Sequence, residues 1–296
     1  MKYVTIMICT YKRNSALKKT IESILNLEYD LSKLTLVIVD NDKNGEAKKI
    51  INGYKEKIKI YYDIEEIKGI SYARNRCLKI ARQIDSEYVA FIDDDEIVTK
   101  KWLSELIRIL EFYNSDIVRG PVIGSYLDGI PSWYKKANLD KINLLEDGTE
   151  LEICFTGNVL MKYNLIIKNE FDTKYALTGG EDTKFFMSLH KSGNVIRYSK
   201  KAVIYEEVLK DRLTFKYFVK RAFKDSANYA IIEKEVYNTS KFYRILKSTI
   251  KLLLNLIIFP ISIFNGFGYF MKILKKIIMS LGELYGIITS KSLIGY

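Results

Sequence analysis

Histidine is almost missing from this sequence, one in 296 residues, and cysteine and proline number three each. A single imidazole with no Cys/His cluster leaves no zinc site of the usual kind, and no Ser-His-Asp set assembles around it. The lone His190 falls inside a predicted helix and reads as a packed or surface residue rather than a ligand. Three prolines and sixteen glycines exclude a low-complexity linker, and no internal repeat is visible. Cys9, Cys77 and Cys154 are far apart and odd in number. Cys9 and Cys77 lie within apolar patterns, which reads as buried free thiols in a reducing compartment. The first residues, Met1–Cys9, lack the apolar length and small-residue cleavage site of a signal peptide and read as the first strand of a cytoplasmic protein. The net charge is +11, yet no nucleic-acid motif accompanies it. Its lysines are scattered, and their excess grows toward an apolar C-terminus, so an anionic lipid surface is the better partner, with no nucleic acid.

What the chain does have is regular alternation. Short apolar runs at Tyr3–Cys9, Leu34–Val39, Ile58–Tyr62, Tyr88–Ile92 and Ile117–Val122 read as strands. Between them, helices are predicted from Asn14 or Ser15 as cap to Leu27, over Glu46–Lys57, over Ser71–Gln83, and over Lys101–Phe112 with Thr99 as cap. That pattern predicts an α/β fold with a mostly parallel central sheet and helices on both faces. Ligands in such sheets lie beyond the carboxyl ends of the strands. The loops there, Thr10–Asn14, Asp40–Asp42, Glu65–Gly69 and Asp93–Glu96, are all polar. After Pro121 the periodicity breaks, and 124–148, rich in turn formers and carrying Trp133 and Tyr134, reads as a loop over the site or a surface excursion with its aromatics packed down. Leu151–Met161 is a strand-like run interrupted at Thr156-Gly157-Asn158. A helix opens at Leu177–Asp182 and stops before Gly193. Short strands at Asn194–Tyr198 and Ala202–Tyr205 and a helix at Leu213–Ile232 complete the soluble part.

The stretch the rest serves is Tyr88–Glu96, a strand running into four carboxylates. No packed strand is expected to bury them, so the strand should end there and present them. Alternate residues of an extended chain share a face, which sets Asp93 and Asp95 together with Asp94 turned away. Carboxylate oxygens suit Mg²⁺ or Mn²⁺, and a cation there is placed to take a diphosphate. A solvated acidic turn is the competing reading.

Taken in order, these fragments resemble glycosyltransferase family 2, with the GT-A fold, over roughly residues 2–229. The carriers are Thr10-Tyr11-Lys12-Arg13, Val39-Asp40-Asn41, Gly69–Asn75, Phe91–Asp95, Thr156-Gly157-Asn158 and Gly179–Asp182. The resemblance implies an inverting enzyme. Thr10, Tyr11, Arg13, Asp40, Arg74, Asn75 and Asp93 would line the nucleotide side, with Asp40 on the base. Asp93 and Asp95 would hold the metal. Glu181, Gly180 and Asn158 would meet the acceptor, and Asp182 would be the catalytic base. Asn41 departs from the family's commoner aspartate. Glu206 stands where many members have a histidine, as a metal ligand or an ion-pair partner. The implied domains are 1–235 (a nucleotide-sugar half to 122, an acceptor half from 123) and an apolar helical segment, 236–296.

In that last segment Leu252–Met271 carries no charge, with Lys247 and Lys251 before it and Lys272, Lys275 and Lys276 after. The length just meets a membrane crossing, but Asn255, Pro260, Asn265, Gly266 and Gly268 weaken it. A hairpin or in-plane anchor is the expectation, a spanning helix the next choice, and a helical pair packed on the catalytic domain the third. Together these readings give a metal-dependent transferase, cytoplasmic and attached to the inner face of the cell membrane, moving a sugar from a nucleoside diphosphate donor to a glycan or lipid-linked acceptor. Its rivals are a nucleotidyltransferase, which would want a glycine-rich loop after the first strand, and a non-catalytic membrane-bound scaffold.

Overall fold

The computed structural model describes residues 1–293. Its strands are β1 (Val4–Thr10), β2 (Leu34–Asp40), β3 (Lys59–Ile64), β4 (Tyr88–Asp93), β5 (Glu96–Val98), β6 (Ile117–Arg119), β7 (Val122–Ser125), β8 (Glu150–Leu151), β9 (Val159–Lys162), β10 (Ile196–Tyr198) and β11 (Ile204–Glu207). The helices are α1 (Asn14–Leu25), α2 (Ala47–Asn52), α3 (Ile70–Ala81), α4 (Trp102–Phe112), α5 (Ser132–Lys136), α6 (Leu165–Lys168), α7 (Glu181–Lys191), α8 (Phe215–Tyr237), α9 (Lys241–Ser262) and α10 (Phe267–Thr289).

Eight strands form one sheet in the order β3-β2-β1-β4-β9-β6-β10-β8. The first four run parallel, β9 opposes β4 and β6, and β10 returns parallel to β6. Residues of one strand face two separate cores, as the two-residue period requires. Ile6, Ile8, Leu36 and Ile38 pack with Leu17, Ile21 and Leu106 of α1 and α4. Met7, Val37 and Val39 pack with Ala73, Cys77 and Phe186 of α3 and α7. Helices therefore cover both faces, and the GT-A class of α/β fold read from the sequence is the fold found.

Several boundaries move. The expected strand Ile117–Val122 is two strands, broken at Gly120-Pro121, because proline supplies no N–H to the ladder. The helix expected over Glu46–Lys57 shortens to α2. Neither Asn14 nor Ser15 caps α1, whose cap position is Arg13. Thr99 does not cap α4 either; its hydroxyl donates to the Val203 carbonyl instead.

The chain forms two compact units. The first holds 1–123, 144–177 and 181–206; the second holds 124–143, 178–180 and the chain from Glu207. The expected boundary at 235/236 falls inside α8, which packs with α10 in the second unit. Residues 124–143, expected as part of a loop, carry α5 in that unit, with Trp133 edge-on to Phe215 and Phe218. Within it α8, α9 and α10 form a helical hairpin stacked on a third helix. Gly282 and Gly286 of α10 admit the α8 backbone at Phe223 and Ala227, where a Cβ would have no room.

Candidate active site

Three strand ends lie side by side, since Thr10 of β1 is in register with Asp40 of β2 and Cys9 with Asp93 of β4. β4 ends at Asp93, the chain turns through Asp94 and Asp95, and β5 begins at Glu96. Two of the four carboxylates are not presented to solvent, contrary to the sequence expectation. Asp94 is buried and accepts from the Thr10 hydroxyl at 2.7 Å and from Arg13 at 3.2 Å. Its burial pushes the carboxyl up to about 6, against the pull of those two donors. Glu96 is buried with Oε2 accepting from the Asp93 backbone N–H at 2.8 Å, and burial next to Asp93 raises it well above the ordinary range. Gly157 has no room for a side chain here, because a Cβ would lie 2.7 Å from Glu96 Oε1. Buried polar groups are tolerated when bonded, so these two acids build the turn that holds Asp93 and Asp95 at the edge.

Arg13, expected beside a nucleotide, is an internal clamp that bonds Asp95 at 2.6 Å as well as Asp94. Thr10 is likewise spent on Asp94. Tyr11 remains exposed, with the Lys12 and Lys68 amines 5.5 and 5.6 Å from its ring. Asp40, expected on the base, is buried and organises its own loop, accepting from the Asp42 and Ala47 N–H groups and the Tyr62 hydroxyl. Asn75 exchanges two 2.8 Å bonds with the Phe171 backbone, which ties α3 to that segment. Asn41 has a reason to be an amide. It donates to the Glu65 and Ile67 carbonyls and accepts from the Gly69 N–H; an aspartate could not make the two donations.

On the other side of the site, Glu181 and Asp182 open α7 after Gly179 and Gly180, whose φ angles are +77° and +96°. The buried Arg74 guanidinium reaches both sides. It pairs with Glu181 through Nη1 and lies 3.5 Å from Asp93 Oδ1 through Nη2. Burial opposes its charge, but Glu181, Asp93 and Asp182 outweigh that and hold it above its ordinary value. Burial also pushes Glu181 up, to about 7, against Arg74, and its Oε2 has no partner among the described residues. Arg74, expected to contact or support the nucleotide, is paired with both acids in this structure. Asp182 is half-exposed, with Oδ1 accepting from the Thr183 N–H at 2.6 Å.

Asn158, expected at the acceptor, is wholly buried at φ +59°, with its side chain used by Trp102 Nε1 and the Pro121 and Ala202 carbonyls. Asn158→Ala should lower stability by about 3 kcal/mol or more, since three buried groups lose their partner at once; calorimetry of the variant checks this. Glu206 sits opposite Glu96 in the β5–β11 pairing. His190 Nδ1 lies 3.4 Å from the Asn194 carbonyl, as a packed residue would.

One residue escaped the sequence reading. Arg119 ends β6, across Val159 of β9 from Phe91 of β4, with its guanidinium 4.8 Å from the Phe155 ring. Its buried Nε has no acceptor among the described residues. The only signal was a cation at the end of a strand, which many surface arginines share.

Among the described residues no three His, Cys, Asp or Glu side chains converge as a ready-made metal cage. Asp93 and Asp95 fit a hard cation all the same, because Mg²⁺ and Mn²⁺ commonly take one or two carboxylates and complete their shell with substrate phosphates and water.

The family model described as "Glycosyl transferase family 2" matches residues 5–169. The chain is 28% identical to the succinoglycan biosynthesis protein ExoM of Rhizobium meliloti (strain 1021), covering 75% of this chain and 72% of that protein. It is 27% identical to the poly(ribitol-phosphate) β-N-acetylglucosaminyltransferase TarP of Staphylococcus aureus (strain N315), over 62% of this chain and only 56% of that protein. Its fold is similar to that of the mannosyltransferase PcManGT of Pyrobaculum calidifontis in complex with GDP-Man and Mn²⁺, with a TM-score of 0.60, 16% identity, and 81% and 65% of the two chains covered.

Proposed function

The chain belongs to glycosyltransferase family 2, and from that premise we propose that it transfers a sugar, with inversion, from a nucleoside diphosphate to a hydroxyl of a glycan or lipid-linked acceptor in the assembly of a cell-surface polysaccharide or glycoconjugate. One observation carries the reading. A single guanidinium, that of Arg74, touches Asp93 at the end of β4 and Glu181 beside Asp182. The two acidic sites are thus joined by an ion pair rather than parted by packed core.

Inversion needs one carboxylate to take the acceptor's proton as the hydroxyl oxygen attacks C1. Asp182 has that role. The proton passes to its carboxylate, a new C1–O bond forms, and the old C1–O bond breaks with its electron pair leaving on the diphosphate. Glu181, locked to Arg74, fixes the first turn of α7 and so the position of Asp182. Asp93 and Asp95 would hold a Mg²⁺ or Mn²⁺, and such a cation would supply charge to offset that growing on the leaving diphosphate. Tyr11 offers an exposed ring for the base, and Lys12 and Lys68 beside it favour an anion. The relatives' names, succinoglycan and poly(ribitol-phosphate), support a polymeric acceptor. The unsatisfied Nε of Arg119 supports one that carries negative charge. The apolar helices of 236–293 support attachment at the inner face of the cell membrane.

The purified full chain, given Mn²⁺ and a panel of nucleoside diphosphate sugars, should release nucleoside diphosphate from one of them. A scaffold would release nothing, and a nucleotidyltransferase would release pyrophosphate from a triphosphate. Excess chelator should lower turnover by roughly a hundredfold or more, in line with the several kcal/mol a Lewis acid supplies, and added Mn²⁺ should restore it. Asp95→Ala should raise the Mn²⁺ concentration needed for half-maximal rate. Turnover indifferent to chelator would remove the metal from the mechanism.

A further inference from the structure

α9 is built inside out. The residues it buries are Arg244, Ser248 and Ser262, while Leu246, Ile250, Leu253, Leu254, Ile257 and Ile261 are exposed. Ile257 is 68% exposed, and Phe264 just beyond the helix 89%. The polar side is turned toward the neighbouring helices. Arg244 donates to the Ala230 carbonyl of α8, and Ser248 and Lys251 bond Glu283 of α10, at 2.8 and 3.3 Å. The apolar residues recur at helical spacing on one outward face from Leu246 to Ile261, about 22 Å long. A water-soluble helix has the opposite arrangement, so this face has a partner.

Charge selects that partner. Between residues 238 and 296 the sequence has eight basic residues and one acidic one. A second copy of the chain would set like charge against like charge, whereas an anionic lipid surface meets both the lysines and the apolar face. The fold also selects the orientation. The twenty uncharged residues Leu252–Met271 are one run in sequence, but the chain folds back at Ile263–Gly266. The Phe259 and Phe270 rings lie 5.0 Å apart, which sets Lys272 level with Ile257, and Lys275 and Lys276 lower still. A spanning hairpin would carry those three lysines into hydrocarbon, where each is unfavourable; a helix lying in the interface leaves them among headgroups.

We infer that α9 lies in the plane of an anionic membrane, with the Leu246–Ile261 face and Phe264 inserted into one leaflet and no part of the hairpin crossing it. This rests on the reading of the C-terminal helices as the membrane attachment. The test is flotation of the full chain with vesicles of phosphatidylcholine alone or mixed with phosphatidylglycerol. The chain should float with the mixed vesicles, and less at high salt. Leu253→Glu with Ile257→Glu should reduce that binding by about a hundredfold, the loss of two buried aliphatic side chains, while transfer to a soluble acceptor stays unchanged because α9 is remote from the catalytic residues in sequence and exposed. Absence of flotation by the unsubstituted chain would overturn membrane attachment itself. Flotation that ignores the two glutamates would overturn the assigned face. A dimer in lipid-free solution that the two glutamates dissolve would assign the face to a second copy. In Phe264→Trp, quenching by lipids brominated high on the acyl chain should exceed quenching by those brominated near its end; the reverse order would mean a spanning hairpin. Loss of donor turnover in every form, with flotation intact, would count against the enzymatic reading alone.

Discussion

Asp182→Asn is expected to lower sugar transfer by about two to four orders of magnitude, the share that a positioned general base supplies, with donor affinity nearly unchanged. The substitution is well matched to the site. Asparagine keeps the size of the side chain and an oxygen to accept the 2.6 Å bond from the Thr183 N–H. What it removes is the capacity to take a proton. Initial rates with a saturating donor, set against calorimetric binding of the same donor, separate the two effects. A variant with near-normal transfer, or one whose entire loss lies in donor affinity, would place the base elsewhere. A companion, Glu181→Gln, removes the charge next door and tests position rather than proton transfer; it should give a smaller fall.

Arg74→Met is expected to be the most destabilising single change in the catalytic unit. Both partners of the Arg74–Glu181 pair are more than nine-tenths buried. Removing the cation strands a carboxyl whose second oxygen already lacks a partner among the described residues. Breaking such a pair from one side costs about 3–5 kcal/mol. In a chain of this size that corresponds to roughly 6–20 °C in melting temperature. The pair is not thereby a large net source of stability, since burying both ions has its own desolvation penalty. The double variant Arg74→Met, Glu181→Leu should recover much of the loss, while turnover stays low because α7 is no longer tied to Asp93. A single variant that melts like the unsubstituted chain would show that the guanidinium is not the tie described here.

The strand–helix alternation, the parallel half of the sheet and the acidic end of β4 were legible because each is a local pattern. β1, β2 and β4 are near-continuous apolar runs, and only a sheet covered on both faces buries such runs. The order β4-β9-β6 was not legible. β9 has four residues and lies more than sixty positions from β4, so nothing in its composition says which strand it opposes. The site was legible in its residue types, but not in the protein partners those residues take. Thr10, Arg13, Asp40, Arg74, Asn75 and Asn158 were read on the ligand side of the cleft, and each also bonds a protein partner that the sequence did not reveal. A sequence shows that a polar group stands at a strand end; it does not show whether another part of the chain has already claimed it.

The sequence by itself determined where the acids fall: Asp93 and Asp95 at the end of an apolar strand, Glu181 and Asp182 at the start of a helix, and twenty uncharged residues near the C-terminus. Tertiary structure alone decided which of those acids stay open, which are buried as scaffolding, and that the uncharged run folds back on itself at Ile263–Gly266. The physical reason is the same in each case. Composition and period act over a few residues, whereas burial, ion pairing and the facing of a helix depend on partners brought in from a hundred positions away.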